Sequence, residues 1–215
     1  MLPQKAFYLI RHGQSEANAA GLTAGGQYDS PLNEIGLSQA HALAEIIDQL
    51  ELKPDVIYHS YMKRAVKTAE IINGTLGLEM NDLYAHDLRE RDCGEWDGLL
   101  WADIEPLAHT GEVPPGGESD PEFMQRIQST FTDILNREND RLPMIVSHGG
   151  HFHAMGLIYE YGMSHITNCH LHYFEPYPSF NSFPWRVWMF DIEGPFLVKR
   201  AAPFCLSHTL DQIAS

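Results

Sequence analysis

Positive charge is scarce in this chain. Lys and Arg number 14 against 29 Asp and Glu among 215 residues, a formal net charge of −15. A nucleic-acid binder draws most of its affinity from a basic stripe, so nucleic acid is not an expected partner. Cysteine is scarce too: Cys93, Cys169 and Cys205 are odd in number and lack zinc-type spacing. They read as reduced thiols of a cytoplasmic protein. Long apolar runs are missing, since stretches such as Ala6 to Ile10 fall far short of the roughly 18 residues of a membrane span. The N-terminus passes through Lys5 directly into an apolar segment without the pattern of a signal peptide. No repeat, low-complexity tract or Pro/Gly/Ser linker divides the sequence. Residues 1–215 are therefore expected to form one domain, long enough to bury a core without a disulfide or metal staple.

What is present is an alternation of strands and helices. Ala6–Ile10, Val56–Tyr58 and Met144–Val146 are short continuous apolar runs, the pattern of strands buried on both faces. Helical spacing of apolar residues follows in Gly36–Leu50, then in Ala65, Ala69, Ile72 and Leu76 after a Ser60 cap. It recurs in Phe123, Ile127, Phe131 and Ile134 after Asp120–Pro121, and a further helix is expected over His151–Tyr161. Asp82–Gly117 is rich in Gly and Pro and reads as loops with at most a short helix. Leu171–Phe174 and Arg186–Ile192 read as later strands around an aromatic, Pro-rich loop. The order predicts an α/β three-layer sandwich, a mainly parallel central sheet with helices on both faces.

Each of the three clearest strands ends in polar residues and then a helix: Arg11-His12-Gly13, His59-Ser60 leading to Arg64, and Ser147-His148-Gly149. Ligands of open α/β sheets sit in the crevice at the carboxyl ends of the strands. Arg11, His12, Arg64 and His148 are therefore expected to converge there. Arginine presents a permanently charged planar fork suited to phosphate or carboxylate, so the crevice should take an anion with several oxygens. A few clustered arginines can hold a positive pocket within a negative surface. Gly13 and Gly149 permit close backbone approach. Ser15 and Asn18, on the loop opening a helical turn, are candidate phosphate donors.

The residues resemble the histidine phosphatase superfamily, also called the phosphoglycerate mutase-like family. Leu9-Ile10-Arg11-His12-Gly13-Gln14-Ser15-Glu16-Ala17-Asn18 is similar to its signature. Asp29-Ser30-Pro31-Leu32 with Gly36, Ser60 to Ala69 with Arg64 inside it, Leu88 to Gly98 with Glu90, Pro114 to Ser119, and Ser147 to Gly150 follow in the family's order. The likeness covers residues 9 to about 155 and leaves the C-terminal quarter unassigned. Gly21 to Gly26 fits the family's substrate loop loosely, and either Thr23 or Gly25 takes the contact position. Asp97 stands where the family often has Glu.

The resemblance implies that His12 is a nucleophile forming a covalent phosphohistidine, its tautomer fixed by a hydrogen bond from the other ring N–H to a backbone carbonyl. It implies that Arg11, Arg64 and His148 hold the phosphoryl oxygens, and that Glu90 is the acid and then the base. No metal or other cofactor is then needed. His148, His151 and His153 invite a metal reading, but on a helix His151 and His153 point to different faces. The tryptophans read as packing residues, with Trp101 in the stretch that roofs the crevice.

The preferred activity is hydrolysis of a small phosphorylated metabolite. The alternatives are a cofactor-dependent phosphoglycerate mutase and a non-catalytic phospho-ligand binder. Mutases of this family carry a long basic insertion between the acid segment and the final histidine. Here that stretch is short, and beyond the acid segment its basic residues are Arg126, Arg137 and Arg141. Specificity is expected from Asp82–Gly117 and Tyr173–Trp188, and the latter is also a candidate contact for a homo-oligomer.

Overall fold

The computed structural model describes residues 1–163, 166–177, 183–193, 196–202 and 204–206. Residues 178–182 of the aromatic segment lie outside the described residues. The core of the architecture is a seven-stranded sheet in the order β3-β2-β4-β1-β6-β7-β8. β1 (Phe7–Arg11), β2 (Val56–His59), β3 (Glu79–Asn81) and β4 (Pro143–Ser147) form its parallel half. β6 (Leu171–Pro176), β7 (Trp185–Glu193) and β8 (Phe196–Ala201) extend it as antiparallel neighbours of β1. The sheet is thus mixed, with β1 at the seam. Short strands β5 (Tyr161–Met163) and β9 (Phe204–Leu206) pair separately.

Period-two alternation along β1 divides the core. Phe7 and Leu9 join one buried cluster with Phe123, Ile127, Phe131 and Phe152. Tyr8 and Ile10 join the other with Leu43, Ile47, Ala65 and Ile72. The first cluster is covered by α5 (Asp120–Arg137) and α6 (Gly149–Tyr159), the second by α2 (Glu34–Asp48) and α3 (Lys63–Leu76). Helices on both faces complete the α/β sandwich. A short α1 (Glu16–Ala19) follows β1, and α4 (Trp101–His109) interrupts the irregular middle section. Among the described residues, no helix is long and apolar enough to cross a membrane.

Helix starts depart from the sequence reading in two places. The N-cap of α3 is Met62, without a side-chain cap. Ser60 instead accepts from the Met62 N–H at 3.3 Å, making the tight turn before the helix. In α5 the cap is Ser119, whose capping box with Glu122 places Asp120 and Pro121 inside the first turn.

Candidate active site

Strand register brings the functional ends together. Arg11 of β1 lies opposite Ser147 of β4, and His59 of β2 lies opposite Val146 of β4. The next residues, His12, Ser60 and His148, therefore leave the sheet along one edge. The His12 N–H donates to Ser147 O at 2.9 Å and the Ser60 N–H to Val146 O at 3.1 Å, extending the ladder to the edge. Close backbone packing fixes the loop beyond. A Cβ on Gly13 would stand 2.5 Å from Gly36 O, and one on Gly36 would overlap Gln14 O. The Gly13 N–H donates to Thr68 Oγ1 at 3.0 Å, which ties the loop to α3.

The protonation pattern of His12 follows from its partners. Nδ1 lies 2.7 Å from Gly13 O, an atom that can only accept, so Nδ1 carries the proton. Nε2 lies 3.1 Å from Arg64 Nε, a group that can only donate, so Nε2 carries the lone pair. Burial holds the His12 pKa well below the ordinary imidazole value, and the charges of Arg64 and Arg11 add to this against the raising effect of the Gly13 carbonyl. His148, ring centroid 5.1 Å from that of His12, is lowered likewise by burial, then by Arg64 and His12.

Arg64 is fully buried. Its Nη1 donates to Tyr28 O at 3.0 Å and its Nη2 to Ala24 O at 2.9 Å, which spreads the guanidinium behind His12. Arg11 Nη1 donates to Ile166 O at 2.9 Å. Among the described residues, buried Arg11 Nε, Thr23 Oγ1 and both ring nitrogens of His148 find no hydrogen-bond partner. Buried polar atoms are ordinarily paired, so a group of them around one histidine marks a place shaped for an anion.

Glu90 enters from the opposite side. Its Oε2 accepts from the Gly150 N–H at 3.1 Å and its Oε1 from the Arg91 N–H at 2.9 Å. A Cβ on Gly150 would collide with this carboxylate, so glycine is required there. A cavity of about 730 Å³ opens in front of these groups, lined at its inner end by Arg11, His12, Asn18, Glu90, Gly149 and Gly150. Thr23 and Gly25 both line it, so the two alternatives for the substrate loop are both at the wall. Asp97 anchors that loop by accepting from the Gly25 and Gln27 N–H groups. Burial raises the Asp97 carboxyl, against those two hydrogen bonds.

Ser15 requires correction. It is fully buried and caps α1, its hydroxyl accepting from the Asn18 N–H at 3.2 Å. The Asn18 Oδ1 accepts in turn from the Ser15 N–H, so the Ser-x-x-Asn spacing is a capping box and the Ser15 hydroxyl is occupied by it. Asn18 still reaches the cavity, whereas Ser15 does not line it. Trp96 and Trp101, read as packing residues, both line the cavity, while Trp185 is buried in the core and donates to Lys5 O. His151 is buried and His153 exposed, so the two do point apart. His151 Nε2–H donates to Arg89 O at 3.0 Å, and burial pushes its pKa down to about 4 despite Glu90 and that carbonyl.

Sequence reasoning missed the frame behind Glu90. Arg126 on α5 donates to the carbonyls of Asp87, Arg89 and Glu90 and pairs with Glu118 at 2.6 Å. Glu118 also accepts from the Asp92 N–H. Burial alone would raise Glu118, but the bonds from Arg126 and Asp92 hold it below the usual carboxylate value. Asn168 was missed as well: its Nδ2 donates to His12 O at 2.7 Å and it lines the cavity.

His12 and His148 thus leave the strand edge beside Arg11 at the end of β1, with Arg64 reaching them from the first turn of α3. The chain belongs to the histidine phosphatase superfamily (branch 1), whose model matches residues 7–178. It is 36% identical over 160 residues to a metal-independent phosphoserine phosphatase of Arabidopsis thaliana, covering 69% of this chain and 66% of that protein. It is 35% identical to putative phosphoserine phosphatase 2 of Hydrogenobacter thermophilus, over 78% of this chain and 85% of that one. The fold is similar to a mycobacterial glucosyl-3-phosphoglycerate phosphatase solved with VO3, with TM-score 0.67 and 25% identity over 88% of this chain and 98% of the other. The names of these relatives agree on phosphoric monoester hydrolysis, and the chain is an enzyme of that class.

Proposed function

We propose that the enzyme hydrolyses its phosphomonoester through a covalent phosphohistidine on His12, without a metal. The carrying observation is the fixed tautomer: Nδ1–H to Gly13 O and an Nε2 that accepts from Arg64. In the first step the Nε2 lone pair bonds to phosphorus, the bond from phosphorus to the ester oxygen breaks, and Glu90 gives its proton to the departing alcohol. In the second, Glu90 takes a proton from water, the water oxygen bonds to phosphorus, and the N–P bond breaks. Inorganic phosphate leaves, with neutral His12 and protonated Glu90 restored. Arg11, Arg64 and His148 hold the phosphoryl oxygens, whose charge must be stabilised in a loose transition state. Asn18, Gly149 and the Thr23–Gly25 loop complete the phosphate end of the cavity. Cys93 and Cys169 form no disulfide among the described residues, and a cytoplasmic location belongs to the same proposal.

The test is hydrolysis of an aryl phosphate by wild type and His12→Ala in excess chelator. Wild-type turnover is expected to survive the chelator and the variant to lose it. Turnover that persists in the variant, or disappears with the chelator, overturns the reading. Alkaline denaturation during turnover should trap an acid-labile, alkali-stable phosphoryl group on the wild-type chain only.

A further inference from the structure

The phosphate end occupies only the floor of the cavity, and the rest must receive the leaving alcohol. At about 730 Å³ the whole is in the range of roughly 300–1,000 Å³ that holds a drug-sized ligand. Beyond the phosphate groups the lining includes the apolar Leu22, Trp96, Trp101, Ile104 and Phe123, with Arg91, Asp120 and His153 beside them. Trp96, Ile104 and Phe123 are buried, whereas Trp101, on the first turn of α4, is 45% exposed at the lip.

The permanent positive charge of this wall is committed, and its other basic side chain is the imidazole of His153. Arg91 Nη1 pairs with Asp120 at 2.7 Å and Arg91 Nε donates to Glu118 O at 3.0 Å. The other lining arginine, Arg11, belongs to the phosphate end. A carboxylate on the leaving alcohol would thus face Glu90 and Asp120, with Arg91 already paired and only the His153 imidazole as a further basic group on that wall. The chain's net charge of −15 adds a repulsive field. An uncharged apolar group would instead bury surface against two indoles and a phenyl ring.

We infer that the outer cavity is a leaving-group subsite for an uncharged, apolar or aromatic alcohol, so that esters of amino-acid or hydroxy-acid type are poor substrates. This rests on the hydrolase reading above and specifies its substrate class.

The experiment compares kcat/KM for 2-phenylethyl phosphate with that for O-phosphoserine and 3-phosphoglycerate, and adds a series of n-alkyl phosphates. The phenylethyl leaving group is chemically no better than that of serine, so a preference reports binding. The wild type should favour 2-phenylethyl phosphate by at least about tenfold, and the alkyl series should rise about threefold per methylene buried. Trp101→Ala and Ile104→Ala should each collapse the preference, with thermal melts reporting that both are folded. Faster turnover of phosphoserine or phosphoglycerate, or a flat alkyl series, overturns the subsite while His12-dependent hydrolysis stands. Turnover of every ester unaffected by His12→Ala overturns the phosphohistidine reading itself.

Discussion

At the scale of single residues, a carboxyl that first gives and then takes a proton must be positioned without being locked to a cation. Glu90 meets this requirement, because both of its oxygens accept from backbone N–H groups, those of Gly150 and Arg91. Glu90→Gln keeps the shape and removes the proton. Alkyl esters, whose departing alkoxide needs that proton, should lose ~10²–10⁴ in kcat, while aryl esters with a good leaving group lose much less. Equal losses for paired alkyl and aryl phosphates would remove Glu90 from the acid role. Residues of this inner site were legible because strand ends are: a polar cluster directly after each buried apolar run could only emerge at one edge. Asn168 and Arg126 were illegible for the opposite reason. Their contacts are to backbone carbonyls up to 156 positions away, and no local pattern records a carbonyl. Ser15 was legible in the wrong sense, since its three-residue spacing to Asn18 is a cap signal as well as a loop signal.

At the scale of elements, burial on both faces is what makes a strand readable. β1, β2 and β4 sit inside the sheet and are continuous apolar runs, whereas edge strand β3, Glu-Met-Asn, and the other edge, β8, carry mixed residues. The antiparallel extension was invisible as topology, since strand direction leaves no trace in composition. Helix α5 shows how an element can carry a site without touching the ligand chemistry. Its Arg126 gathers the carbonyls of Asp87, Arg89 and Glu90 and is itself neutralised by Glu118. Both side chains are mostly buried, so Arg126→Met takes a donor from three carbonyls and leaves Glu118 with only Arg89 and the Asp92 N–H. The expected cost is roughly 3–5 kcal/mol of stability, as for a broken buried pair. Below the melting transition, kcat should fall more than KM rises, because the displaced group is Glu90 rather than the phosphate cradle. A urea titration and steady-state kinetics at low temperature check the two parts separately. Unchanged stability would mean the frame is solvated rather than structural.

At the scale of the whole molecule, the same burial that tunes the site sets the response to acid. His12, His148, His151 and His172 are all buried, and desolvation lowers each of them, His151 to about 4 and His172 to about 3. In the unfolded chain each returns to about 6.5. Below that value the unfolded state binds more protons than the native state, so stability falls as pH falls, and it is complete only above it. The loss for His151 runs from about pH 6.5 to 4 and amounts to about 3 kcal/mol. Four such groups losing stability together draw heavily on the roughly 5–15 kcal/mol of an ordinary domain. Opposing relief from the net charge of −15 begins only as carboxylates titrate near pH 4, below the window. The paired Glu118 likewise matters only there, its contribution being lost as pH drops through the carboxylate range. Urea midpoints should therefore be level above pH 7 and decline steeply from 6.5 downward. His172 donates from Nδ1 to His170 O and lies apart from the phosphate groups, so its amide replacement keeps a donor and removes the titration. His172→Asn should flatten the slope by up to about 1.4 kcal/mol per pH unit between 6.5 and 5. A wild-type midpoint that stays level down to pH 5 would show that these histidines gain protons without unfolding the chain. The acid limit of activity would then have to arise at the Nε2 of His12 itself.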